Sequence, residues 1–170
     1  MMTTNPATIT LPTDEQILIT CHIPGPRHLV YKAWTTPELV QRWWAGDRGT
    51  MTTVEIDLRT GGRWRYVLNA NGHEVAFHGE YREIVPDTRI VTTEVFEMPG
   101  AELPPELEPI NTITFTDAED GTGTIVRILG QTANKDMRDM ILNSGMESGM
   151  QEQFVHLADV VTSLASALEG

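Results

Sequence analysis

The chain has 170 residues, 40% of them hydrophobic and 21% charged, with a formal net charge of -12. These values fit one globular domain that buries its own core, and no apolar run approaches the roughly 20 residues of a membrane-spanning helix. The acidic balance excludes nucleic acid and anionic membrane surfaces as natural partners, because both repel it.

Residues 1–12 read as a loose leader before a single domain over 13–170. The segment lacks the basic start and apolar run of a secretory signal, so the cytoplasm is the expected location. A first strand is predicted over Glu15 to Ile23. It carries the single cysteine, Cys21, read as a buried, inert thiol because His22 points to the opposite strand face and supplies no base. Pro24-Gly25-Pro26 ends this strand. A short helix follows over about Arg27 to Trp34, and Thr36-Pro37-Glu38 starts a second that reaches Trp43 or Trp44.

The middle of the chain reads as strands. Thr53 to Leu58 is the first of these, then Gly61-Gly62 turns the chain. Arg63 to Leu68 alternates Arg63 and Arg65 against Trp64, Tyr66 and Leu68, the period-two mark of a half-buried strand. Asn71-Gly72 is a hairpin signal. Strands over Glu74 to Val85, Arg89 to Glu97, Asn111 to Thr116 and Thr124 to Gln131 follow, with a Pro- and Glu-rich loop at residues 99–109. Joined by short turns, such strands pair antiparallel.

From Asn134 the pattern becomes helical. Asn134 is a candidate cap, and Ser144-Gly145 is a candidate interruption. Met146, Met150, Phe154, Leu157, Val161, Leu164 and Leu168 then form an apolar stripe of five or six turns at three- and four-residue steps. A sheet needs a cover on its buried face, and this helix is the only large one available. One helix on a twisted sheet leaves space, and Met137, Met140, Met146 and Met150 suit an adaptable interior.

Three stretches carry a resemblance to a known family. They are Val30-Tyr31-Lys32-Ala33-Trp34-Thr35-Thr36-Pro37-Glu38-Leu39 with Trp43-Trp44; Gly61-Gly62-Arg63-Trp64-Arg65-Tyr66 continuing through Phe77 to Ile84; and Ser144-Gly145-Met146-Glu147-Ser148-Gly149-Met150. The chain resembles the START-like superfamily, in its branch similar to activators of the heat-shock protein 90 ATPase. The resemblance implies an α+β helix-grip fold: a curved antiparallel sheet of about six or seven strands around the C-terminal helix, with two short helices after the first strand. It also implies a cavity between sheet and helix. Trp43 and Trp44 would lie at its mouth, with Trp64 and Tyr66 facing inward. Met137, Ile141, Met146, Met150 and Phe154 would line it from the helical side. A chaperone partner is not favoured, because the co-chaperone's separate chaperone-binding domain has no room here.

His78, Glu80 and Arg82 alternate onto one strand face, and Glu94 on the next strand could meet them. On the concave face His78, Glu80 and Glu94 would be acid–base candidates for polyketide cyclase-like chemistry. On the convex face they would form a solvated charge ladder. His73 and His78 face opposite ways on a strand, so no metal site is expected, and no nucleotide or other cofactor motif is present. Three functions follow in order: a binder of a small hydrophobic or amphipathic molecule, a cyclase-like enzyme, and a regulatory interaction module. Homodimerisation stays open.

Overall fold

The structure, a computed structural model, describes residues 7–97, 100, 103–119 and 121–169, with side chains through Ala167. In chain order the elements are β1 (Ala7–Thr10), β2 (Gln16–Ile23), α1 (Arg27–Thr35), α2 (Pro37–Trp43), β3 (Thr50–Ile56), β4 (Arg63–Ala70) and β5 (His73–Val85). They continue as β6 (Arg89–Thr93), β7 (Val95–Phe96), β8 (Ile110–Asp117), β9 (Thr124–Gln131), α3 (Lys135–Leu142) and α4 (Met146–Glu169). All strands join one antiparallel sheet in the order β1-β2-β9-β8-β6-β5-β4-β3, with β7 paired to β5.

The sheet has nine strands rather than six or seven. One extra strand comes from the predicted leader: Ala7–Thr10 pairs along β2, and Gln151 of α4 clasps Ala7 through both its main-chain N–H and C=O. The other comes from a break at Glu94, which splits the strand predicted over Arg89 to Glu97 into β6 and β7. Residues 1–6 lie outside the described part.

Local chemistry sets the boundaries. Asn71 and Gly72 take φ of 56° and 84°, closing the β4–β5 hairpin where Ala70 pairs His73. Both central residues of this turn type need positive φ. Asn134 caps α3, its side-chain oxygen accepting from the Met137 N–H at 2.9 Å. Thr36 makes no side-chain cap bond at α2, where Pro37 instead presets the first turn. Gly145, at φ 86°, separates α3 from α4, as Ser144-Gly145 suggested.

The core lies between the concave sheet face and the helices. Met150, Phe154, Leu157 and Val161 are buried on one side of α4, with Met146 and Leu164 half-buried beside them; Leu168 has no described side chain. They share a core with Ile17, Ile19 and Cys21 of β2, Phe115 of β8 and Val126 of β9. Helix α4 packs against α2, α1, β2 and β1. Burial holds the Cys21 thiol at a pKa of about 12, consistent with an unreactive core residue.

Candidate functional site

Register decides which side chains share the concave face. Trp64 pairs Gly79, Tyr66 pairs Phe77, Tyr81 pairs Thr92, and Thr92 pairs Asn111. Directly paired residues point the same way. Gly79 lacks a side chain, so the Trp64 indole lies across β5 and donates from Nε1 to Thr92 Oγ1 at 2.8 Å.

Trp44, just after α2, stands edge-on to Tyr66 (5.1 Å, 72°) and to Phe77 (5.0 Å, 70°). Trp64 lies 4.6 Å from Tyr66, and Phe77 lies 5.2 Å from Phe96. The rings therefore form a continuous series from buried Trp64 to Phe96, which is 50% exposed. The room expected for a guest is taken at this side by the protein's own rings. Two clefts, of about 430 and 360 Å³, lie elsewhere. One is lined by the α2–β3 connection around Gln41 and Met51, the other by Gly25, Pro26 and residues around Gly121.

Glu94 sits beside this wall. Its Oε1 accepts from Asn111 Nδ2 at 2.6 Å, which puts its side chain on the Thr92–Asn111 face. Burial pushes its carboxyl above the ordinary range, and the Asn111 hydrogen bond partly offsets that. Tyr66 is also pushed well up, mainly by burial and further by its neighbours Tyr81 and Glu94, so Glu94 is felt electrostatically at the aromatic wall.

His78 and Glu80 are not part of this group. His78 shares its face with Arg65, and both meet Glu97: Arg65 donates twice at 2.9 Å, and His78 Nδ1 lies 2.8 Å from Glu97 Oε2. These bonds, Arg65 first, hold the Glu97 carboxyl down at about 2. Glu80 pairs Arg82 on the same convex face. The acid–base trio is thus separated. The convex residues form the charge ladder, and Glu94 is inside because the Tyr81–Thr92 and His78–Val95 pairings set it opposite Gly79, on the face away from His78 and Glu80.

The other predicted lining residues divide similarly. Trp43 is core rather than mouth: it is 2% exposed, donates to the Ala33 carbonyl at 3.0 Å and packs on Trp34. Phe154 and Met150 are likewise buried. Trp64 and Tyr66 face inward, while Met137, Ile141 and Met146 are half-buried. Met140, one of the methionines expected to suit an adaptable interior, is 71% exposed. Sequence reasoning missed Phe77 and Phe96 as wall members, Asn111 as the partner of Glu94, and Glu97. Asn111 had a readable signal, since it shares a period of two with Ile113 and Phe115. Among the described residues, no three His, Cys, Asp or Glu side chains gather at metal-binding distance. No helix there is long and apolar enough to cross a membrane.

A large antiparallel sheet folded against a long C-terminal helix, with two short helices after β2, defines a START-like, helix-grip protein. Residues 24–162 match the activator of Hsp90 ATPase homolog 1-like proteins, and the chain belongs to that family. Membership supports a ligand-binding or regulatory role in general and specifies no ligand. Similar folds occur in a Rhodobacter sphaeroides protein (TM-score 0.82, 20% identity, 92% of this chain and 99% of that one) and a Mycobacterium smegmatis protein (0.80, 22%, 92% and 97%). A Chromobacterium violaceum protein has a TM-score of 0.70 and 26% identity over 88% of this chain and 98% of its own. No curated protein sequence matches significantly.

Proposed function

We propose that the protein binds a small amphipathic organic molecule against the concave wall of β4, β5 and β8. Trp44 gives up its place to the guest. The reading rests on one observation above the others: the ring series Trp64, Tyr66, Trp44, Phe77 and Phe96 leads from the interior to the surface beside the polar pair Glu94 and Asn111. Small-molecule sites are largely apolar, with a few polar groups that fix orientation. Trp44 is the movable member because it is half-buried and follows the end of α2, whereas Trp43 is sealed in the core.

The test is uptake of a neutral apolar fluorophore, N-phenyl-1-naphthylamine, by the native protein. Saturable binding with movement of the Trp44 and Trp64 indole N–H signals in NMR, and little movement of Trp43, is expected. Absence of uptake by both the native protein and Trp44→Ala overturns the reading.

A second reading, acid–base chemistry as in polyketide cyclases, retains only Glu94 of its three residues. Its support is the raised carboxyl on an apolar face. Turnover of an aromatic polyketide that is lost in Glu94→Gln is the outcome it requires.

A further inference from the structure

The bonding at the polar end of this wall is incomplete in a directional way. Among the described residues, the Glu94 carboxylate makes no ion pair, and the Asn111 amide is its one hydrogen-bond partner. No Lys, Arg or His contributes to the electrostatics of its carboxyl. Glu94 Oε2, Asn111 Oδ1 and Tyr66 Oη each take no hydrogen bond among those residues. No fully buried side-chain polar atom there lacks a partner. The three oxygens therefore each keep accessible surface, although Tyr66 as a whole is only 6% exposed.

All three belong to the same concave face. Tyr66 and Asn111 are placed on it by register, and Glu94 by its bond to Asn111. Among the described residues, Glu94 has no counter-charge within ion-pair distance. A half-buried charge is costly unless it is paired. The adjacent rings add a favourable surface for a cation, since aromatic faces attract ammonium groups. A protein of net charge -12 also draws cations toward itself.

We infer that the ligand of this wall is an organic ammonium: a flat or apolar body against Trp44, Tyr66 and Phe77, with its cationic nitrogen donating to Glu94 Oε2. The inference rests on the reading of the wall as a binding site and adds the charge of the guest. A carboxylate guest meets Glu94 as a like charge, and a neutral guest leaves that charge unpaired.

The test compares three probes of nearly equal shape at neutral pH: 1-naphthylmethylamine, which is protonated, 1-naphthalenemethanol, and 1-naphthoate. Affinities are measured by calorimetry on the native protein and on Glu94→Gln. The amine is expected to bind about tenfold more tightly than the alcohol, the scale of one charge-assisted hydrogen bond. Naphthoate is expected to bind more weakly than either. Glu94→Gln should remove the amine's advantage over the alcohol.

Equal affinity for amine and alcohol, or an amine preference that survives Glu94→Gln, overturns the cation inference and leaves the wall as a site for neutral guests. Failure of all three probes overturns both readings. A check independent of any variant is the Asn111 side-chain NH2 signal in NMR. It should move with the amine; no movement at saturating amine counts against the assignment.

Discussion

Replacing Gly79 by alanine tests the packing that builds the aromatic wall. A Cβ at this position falls 1.9 Å from the Thr93 carbonyl oxygen and 2.5 Å from Trp64 Nε1. Heavy atoms sit best about 3.5–4.0 Å apart, so β5 has to draw away from Thr93 by more than about 1 Å. The Trp64 indole must also lift from the strand, which breaks its bond to Thr92 Oγ1. Overpacking costs about 1–3 kcal/mol, and a lost buried hydrogen bond about as much again. Reduced freedom of the unfolded chain returns about 0.4–1 kcal/mol. The net expectation is a loss of about 2–5 kcal/mol, read as a lower urea midpoint with a shifted Trp64 indole signal. Gly72→Ala is the control: it meets nothing within 4 Å but sits at φ 84°, so it should cost only about 1–2 kcal/mol. A Gly79→Ala protein no less stable than Gly72→Ala refutes this account of the wall.

Glu94 and Glu97 should act in opposite directions with pH. The Glu94 carboxyl is raised above 4.5, so the folded protein holds its proton longer and loses stability as pH rises through that window. Glu94→Gln should therefore be more stable than wild type at pH 7, with the gain vanishing below pH 4.5 in urea titrations at each pH. Glu97 is depressed to about 2, so its contribution is present above 4.5 and fades as pH falls toward 2; Glu97→Gln should flatten that acid limb. Phe154→Ala, at a fully buried ring, should cost about 3–5 kcal/mol in denaturant unfolding. Cys21 should react with a disulfide reagent at pH 8 only after unfolding, because burial keeps its thiol neutral.

Much of the fold was legible because its signals are local. Asn71-Gly72 announces a turn through its backbone preferences, and the α4 stripe announces its buried face through helical spacing. The strand Thr124 to Gln131 has the bounds its turn residues predicted. Strand β1 was hidden because four residues at a sheet edge show too little alternation, and its pairing with β2 and bond to Gln151 are long-range. Adjacent residues on a helix point about 100° apart, so Trp43 and Trp44 cannot both face the core. Which of them is core depends on the Ala33 carbonyl and Trp34, which spacing within α2 does not encode.

Glu94 illustrates the same limit at the site. Its grouping with His78 and Glu80 needed a cross-strand register that no local signal gives: Tyr81 pairs Thr92, so Glu94 falls opposite Gly79 on the other face. Asn111 was legible as a polar residue in an apolar alternation, but its partner was set by strand order. The wall likewise joins Trp44, just after α2, to residues of β4, β5 and β7 that strand register brings together.

The decisive measurement is where a bound guest lies. Nuclear Overhauser contacts from N-phenyl-1-naphthylamine to the side-chain protons of the native protein read this directly. Contacts to Trp44, Tyr66 and Phe77 are predicted, with none to Trp43. Contacts confined to the cleft between Gln41 and Met51, or to no interior ring at all, contradict the account.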